Sequence, residues 1–224
     1  MELLSGEFLM FIAIGLCAQL IDGALGMAYG LISSAVLLSM GLPPAAVSAS
    51  VHTAEVVTTG VSGAAHGMLG NVDRKLLRRL VVPGVIGGIL GAYVLSRVDG
   101  DALRPWIYGY LLVLALLILL RAIGRRIPRR EVRRVGVLGF FAGLLDAIGG
   151  GGWGPVGTSP LLAHRGQAGT SIGTVSAAEF SVTLAISITF LLTVGLEHWQ
   201  TTLGLLIGGA IAAPMAALLV KRLP

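Results

Sequence analysis

The sequence predicts an all-α polytopic membrane protein built from two inverted repeats, each beginning with a glycine-broken, re-entrant helical hairpin. Three observations lead there. Of 224 residues, 55% are hydrophobic and only 12% charged, against about 25% charged in an average soluble domain. So few charges cannot cover a soluble fold of this size. Seven apolar segments recur along the chain, most of them near the ~20 residues that a spanning helix needs. The two longest are copies of one another, and glycines interrupt both.

Composition also excludes classes of function. The net charge of +5 would suggest nucleic-acid binding in a soluble protein, but the basic residues flank apolar segments. Arg74, Lys75, Arg78 and Arg79 lie in 71–79 and seven arginines in 121–134, as in cytoplasmic loops. Cys17 is the single cysteine, which excludes an intrachain disulfide and a paired-thiolate metal site. Met1–Glu7 carries two acids and no base, the wrong start for a cleaved signal peptide, so the first apolar stretch is expected to be retained. No Walker, HExxH or Gly-x-Ser-x-Gly pattern is present, and no strand precedes the glycines of 149–154. Neither an enzyme nor a bound cofactor or metal is expected.

The segments run at 8–40, 44–69, 80–96, 105–123, 135–163, 168–194 and 201–220. Residues 1–123 form repeat 1, 124–134 a basic cytoplasmic linker and 135–224 repeat 2, within one membrane domain. Segments 8–40 and 135–163 contain GALGMAYG (Gly23–Gly30) and GGGGWG (Gly149–Gly154). Glycines at membrane depth break a helix, and the freed backbone groups must face protein or a wet cavity, since lipid cannot satisfy them. Shifting 12–55 by 124 positions onto 136–179 gives 11 identities in 44 without a gap, among them Asp22/Asp146, Gly30/Gly154 and Glu55/Glu179. Tyr29 falls opposite Trp153, and Ser34 opposite Thr158.

Charge sets the topology. The basic stretches 71–79 and 121–134 read as cytoplasmic, whereas Gly195–Gln200, with an acid and no Lys or Arg, reads as outside. Lys221 and Arg222 then return inside, and the acidic N-terminus falls outside. Equivalent loops on opposite faces make the repeats inverted, so 8–40 and 135–163 each enter and leave on one side. About 30 residues at ~1.5 Å each give ~46 Å, too short to cross a ~30 Å core twice. The competing arrangement makes each a single broken span, with parallel repeats and the N-terminus inside.

Four of the eleven acids lie inside apolar segments: Asp22, Glu55, Asp146 and Glu179. A carboxylate there costs about 2.5–3.5 kcal/mol on insertion scales, which makes each a functional candidate. They form two pairs with the same 33-residue spacing (55 − 22 and 179 − 146). One reading is proton or cation coupling, or gating, at a pseudo-twofold site. The other, strongest for Asp22 and Asp146 directly before the breaks, is that the carboxylates cap half-helices. Ser33 and Ser34 follow Gly30, and Thr158 and Ser159 follow Gly154. A half-helix starting there would aim its N–H groups at the bilayer midplane, a geometry that binds anions. Small residues that only permit close packing are the alternative. His52, one turn before Glu55 and opposite Ser176, either exchanges protons with substrate or makes a structural hydrogen bond. Tyr29 and Trp153 are candidate gates or cavity walls.

The same residues carry a family resemblance. Ala18–Gly30 (AQLIDGALGMAYG), its repeat Ala142–Gly154 (AGLLDAIGGGGWG), and Ser48–Glu55 (SASVHTAE) with Gly173–Phe180 (GTVSAAEF) resemble the TauE/SafE family of membrane permeases over nearly the whole chain. The resemblance implies a multi-pass protein of the cell (plasma, in bacteria inner) membrane that exports sulfite or an organosulfonate such as sulfoacetate by secondary transport. Family members generally carry a further apolar segment after the seventh, whereas this sequence ends at Pro224. Either repeat 2 lacks its closing helix, or a second copy in a homodimer supplies that surface. The expected site lies between the hairpin tips. Gly30, Ser33, Ser34, His52, Gly154, Thr158, Ser159 and Ser176 would hold substrate, and Asp22, Tyr29, Glu55, Asp146, Trp153 and Glu179 would couple or gate. The expected partners are a small anionic substrate and the lipid bilayer, with no nucleic acid. A cation permease using the four carboxylates and a non-transporting scaffold are the alternatives.

Overall fold

A computed structural model of the chain describes residues 5–25, 27–123, 134–162, 168–195 and 198–220. For 23–25, 121–122, 158–159, 162, 168–169 and 216–220 only the backbone is described. The elements are α1 (Gly6–Leu25), α2 (Tyr29–Ser39), α3 (Pro44–Met68), α4 (Arg74–Arg97), α5 (Gly100–Ala122), α6 (Val135–Gly149), a π-helical turn (Trp153–Thr158), α7 (Ser159–Leu162), α8 (Ala168–Thr193) and α9 (Trp199–Val220). Their ends follow local chemistry. Pro44 opens α3 at a first-turn position, where its missing N–H costs nothing. Asp73 caps α4 by accepting from the Lys75 and Leu76 amides at 2.9 and 3.0 Å. Gly150 ends α6 in the left-handed region at φ 69°, which glycine adopts without strain.

Two features of the helices go beyond the apolar segments read in the sequence. The helix after the first basic cluster begins at Arg74 rather than 80, because the Asp73 cap draws the four cations into its first two turns. The arms of the first hairpin are also unequal. The 20 residues of α1 rise ~30 Å and the 11 of α2 ~16 Å. Among the described residues, three helical stretches are long and apolar enough to cross a membrane: Arg74–Arg97, Gly100–Leu120 and Thr170–Thr193. The basic segment 124–133 and residues Leu196, Glu197, Lys221 and Arg222, on which the charge topology leans, lie outside the described residues.

Packing follows the repeat. Under the 124-residue correspondence α1 matches α6, α2 the π turn with α7, and α3 matches α8, while α9 follows α8 as α4 follows α3. The chief helix pairs are α1 with α9 and α4 with α6, each the other's image under this exchange. Another such pair of contacts is α4 on α8 and α3 on α9. At the centre α3 and α8 pack on each other in antiparallel directions, with Gly60 on Phe180, Gly63 on Ala177 and Gly173 on His66. In the first two pairs backbones nearly touch. A Cβ at Gly208 would collide with the Ile12 carbonyl, one at Gly87 with that of Phe140 and one at Gly143 with that of Gly84. Small residues of this kind let helices associate where no hydrophobic force drives them together. The outer faces of α4 and α5 present Val82, Ile86, Trp106, Leu112 and Leu116, as lipid contact requires.

Candidate functional site

The two glycine breaks meet tip to tip at the centre of the molecule. Gly30 lies against the backbone of Gly150 and Gly151, and Gly154 against Met27, so no side chain fits at either position. Each break is held by the aspartate before it. Asp22 Oδ1 accepts from the Ala28 and Tyr29 amides at 2.6 and 3.1 Å. Asp146 Oδ1 accepts from the Gly152 and Trp153 amides at 2.5 and 2.9 Å. These four amides are themselves related by 124 positions. Both aspartates thus cap the helical segment that follows the break, as the capping alternative expects, and they satisfy donors that lipid could not. The matched aromatics are tied down as well. Tyr29 donates its hydroxyl to the Leu205 carbonyl at 3.0 Å, and Trp153 Nε1 donates to the Val175 carbonyl at 3.3 Å.

The symmetry fails at His52, which is fully buried. Its Nδ1 lies 2.8 Å from the Ser48 carbonyl, and the Ser48 hydroxyl spends its proton on the Ala147 carbonyl at 2.6 Å. A carbonyl only accepts, so Nδ1 carries hydrogen. Nε2 faces Asp146 Oδ2 at 3.3 Å, and a proton must lie between them for that contact to attract. Ser34 adds a further tie by donating to the Gly150 carbonyl at 2.8 Å. Helices α2 and α3 of the first repeat are thereby bound to the tip of the second through Ser34, Ser48 and His52. The position equivalent to His52 is Ser176, which makes no such pair with Asp22.

Beside the tips is a cavity of about 440 Å³, within the range of small-ligand sites. Asp22, Glu55, Asp146 and Glu179 all line it, two from each repeat, together with Tyr29, Gly30, Trp153, Gly154 and Ser176. Among the described residues, none that lines it is Lys or Arg. The aspartates are occupied as caps. Among the described residues no group donates a hydrogen bond to the carboxylate of Glu55 or Glu179, so these two are the acids available to an incoming proton or ligand.

With this geometry in place, the comparisons with known proteins are decisive on kinship. The family described as sulfite exporter TauE/SafE matches residues 11–224. The chain belongs to that family. A relative within reach of direct alignment is the probable membrane transporter protein YtnM of Bacillus subtilis (strain 168), 45% identical over 226 residues that cover 96% of this chain and 75% of the relative. No solved structure gives a significant match. The TauE/SafE membership makes this a multi-pass membrane protein and a membrane transporter, and it points to no catalytic activity.

For this TauE/SafE protein, nine of the fourteen residues singled out from sequence line the one cavity. Ser33, Ser34 and His52 do not. Ser33 is fully buried, and Ser34 and His52 are engaged across the repeat interface as described. The side chains of Thr158 and Ser159 lie outside the described residues. The cavity also recruits Gln19, Thr58, Thr59 and Ser62, which sequence reasoning missed. A signal was there. Thr58, Thr59 and Ser62 stand three, four and seven positions after Glu55, the spacing of a single helical face.

Proposed function

We propose that this protein is a secondary transporter of a small sulfur oxyanion, sulfite or an organosulfonate such as sulfoacetate, with the carboxylate-lined cavity as its substrate site and export as its direction. The observation that carries the reading is the convergence of four intramembrane acids, two from each repeat, on one cavity lined by no Lys or Arg among the described residues. A purely structural protein would not favour acids at that depth. The anion as cargo is supported by the family's description.

The two facts together favour coupling. An oxyanion entering among ionised carboxylates meets like charge in a medium where Coulomb energies are several-fold larger than in water. Binding becomes favourable when protons occupy Glu55 and Glu179, so anion and proton share the site. With four of the tip amides already given to Asp22 and Asp146, the side chains that can donate to substrate oxygens are Gln19, Ser62 and Ser176. Alternating access is the rocking of one repeat against the other. The inverted arrangement is supported by the antiparallel run of the equivalent helices α3 and α8.

The same four carboxylates favour a second reading, a cation permease, in which they serve as ligands; hard cations require several oxygens converging at about 2.3–2.6 Å. Proteoliposome flux separates the two. Saturable uptake of sulfite or sulfoacetate, accelerated by an imposed pH gradient, is the outcome expected. Flux of a divalent cation that sulfite leaves untouched supports the permease, and no flux of either kind in folded protein returns the scaffold reading.

A further inference from the structure

A second, smaller pocket of about 110 Å³ lies at the other end of the α3–α8 pair, lined by Ser50 and Thr53 of α3, Ser187 of α8, and His198, Trp199 and Thr202 at the start of α9. Because α3 and α8 are antiparallel, the two pockets occupy opposite halves of one helix pair. The large cavity takes residues 55–62 and 172–179, and the small one takes 46–53 and 187–194.

Between them runs a polar ladder on α8. Glu179 faces the large cavity, Ser187 the small pocket, and Thr183 stands midway, four residues from each. The hydroxyls of Thr183 and Ser187 are both buried and have no hydrogen-bond partner among the described residues, with Thr183 fully enclosed and Ser187 only 8% exposed. Four other hydroxyls of α8 are spent locally. Thr174, Ser181, Thr189 and Thr193 each return theirs to the carbonyl one turn back, at 2.6, 3.3, 2.8 and 2.8 Å. Burying a hydroxyl without a partner costs about 1–3 kcal/mol, and two such groups in line between two pockets call for a reason.

Resting on the reading of the cavity as a proton-coupled site, we propose that Thr183 and Ser187 form a proton route between Glu179 and the small pocket, so that protons reach the substrate cavity from the opposite face of the membrane. The spacing suits it. Four residues of helix rise ~6 Å, and two O–H···O bonds of about 2.8 Å through one water cover that span. In each step a hydroxyl oxygen accepts one proton and releases its own, so a single proton moves on and no hydroxyl changes its charge. At about 110 Å³ the small pocket has room for several waters. The other titratable groups that share the cavity with Glu179 are Glu55 on α3, Asp22 on α1, Asp146 on α6 and Tyr29 on α2, and His198 stands at the far end.

The test compares two modes of sulfoacetate movement in proteoliposomes holding the full chain: accumulation driven by a pH gradient, and counterflow, in which labelled sulfoacetate exchanges for unlabelled with no net proton movement. Thr183→Val, equal in shape and lacking the hydroxyl, is expected to lower gradient-driven accumulation by about tenfold or more with counterflow close to wild type. Thr183→Ser is expected to restore accumulation. Three results overturn the route: gradient-driven accumulation unchanged in Thr183→Val, accumulation and counterflow lost in parallel, or no recovery in Thr183→Ser. Wild-type flux indifferent to the pH gradient also overturns the route while leaving anion transport standing. No sulfoacetate or sulfite movement by wild type in either mode overturns the transport reading and the route with it.

Discussion

The two capping aspartates are equivalent in sequence and unequal in structure, and their alanine variants should differ by a calculable amount. Asp22→Ala removes the acceptor for two amides at a half-buried position open to the cavity, a loss of the size of a helix cap, about 0.5–2 kcal/mol. Asp146→Ala removes the acceptor for two amides and also strands His52, fully buried, whose Nε2 loses its acid partner. Breaking a buried pair by deleting one member costs about 3–5 kcal/mol. Asp146→Ala should therefore be the more damaging by about 2–3 kcal/mol. Asp146→Asn should recover most of the loss, because the amide oxygen still accepts from Gly152 and Trp153 and its NH₂ donates to an Nε2 left without a proton. Unfolding in mixed micelles titrated with SDS, followed by circular dichroism, gives the three free energies. Equal losses for the two alanine variants, or an asparagine variant no better than alanine, would refute the pairing of His52 with Asp146.

Further outcomes follow from other contacts. Valine at Gly87, Gly143 or Gly208 drives a side chain into a facing carbonyl and should abolish the monodisperse peak in size-exclusion chromatography. Gly67→Ala and Gly109→Ala meet nothing within 4 Å and should be neutral or stabilise by up to about 1 kcal/mol through helix propensity. Ser34→Ala frees the Gly150 carbonyl and should lower stability by about 1–2 kcal/mol without shifting the apparent KM for sulfoacetate; a shifted KM would return Ser34 to the substrate site. Glu55→Gln and Glu179→Gln should flatten the pH dependence of anion flux, which in wild type rises as pH falls on the side to which the cavity opens. A steep profile retained in the double variant would remove the glutamates from coupling.

Much of this arrangement was legible because the chain states it twice. The offset of 124 found the breaks, the paired acids and the aromatic pair, and those residues converge on the cavity, since equivalent positions near a repeat axis approach one another. Helical spacing from Glu55 would have added Thr58, Thr59 and Ser62. The partner of His52 was not legible, because Asp146 lies 94 residues away on another helix and no periodicity within α3 points to it. The anion-binding role expected of the half-helix amides could not be weighed until the caps were visible: Asp22 and Asp146 already take four of those donors. The start of α4 was not legible from the apolar run alone, since a run of four cations looks like a loop until Asp73 is recognised as its cap.

The central claim is that substrate occupies the carboxylate-lined cavity, and a cysteine placed there tests it most directly. Cys17, exposed on α1, is first replaced by serine, and Ser176→Cys then puts one thiol on the cavity wall. The account predicts that sulfoacetate slows maleimide labelling of that thiol saturably, and more strongly at low pH than at high pH. Labelling at an unchanged rate in protein that still moves sulfoacetate would contradict it and send the substrate elsewhere.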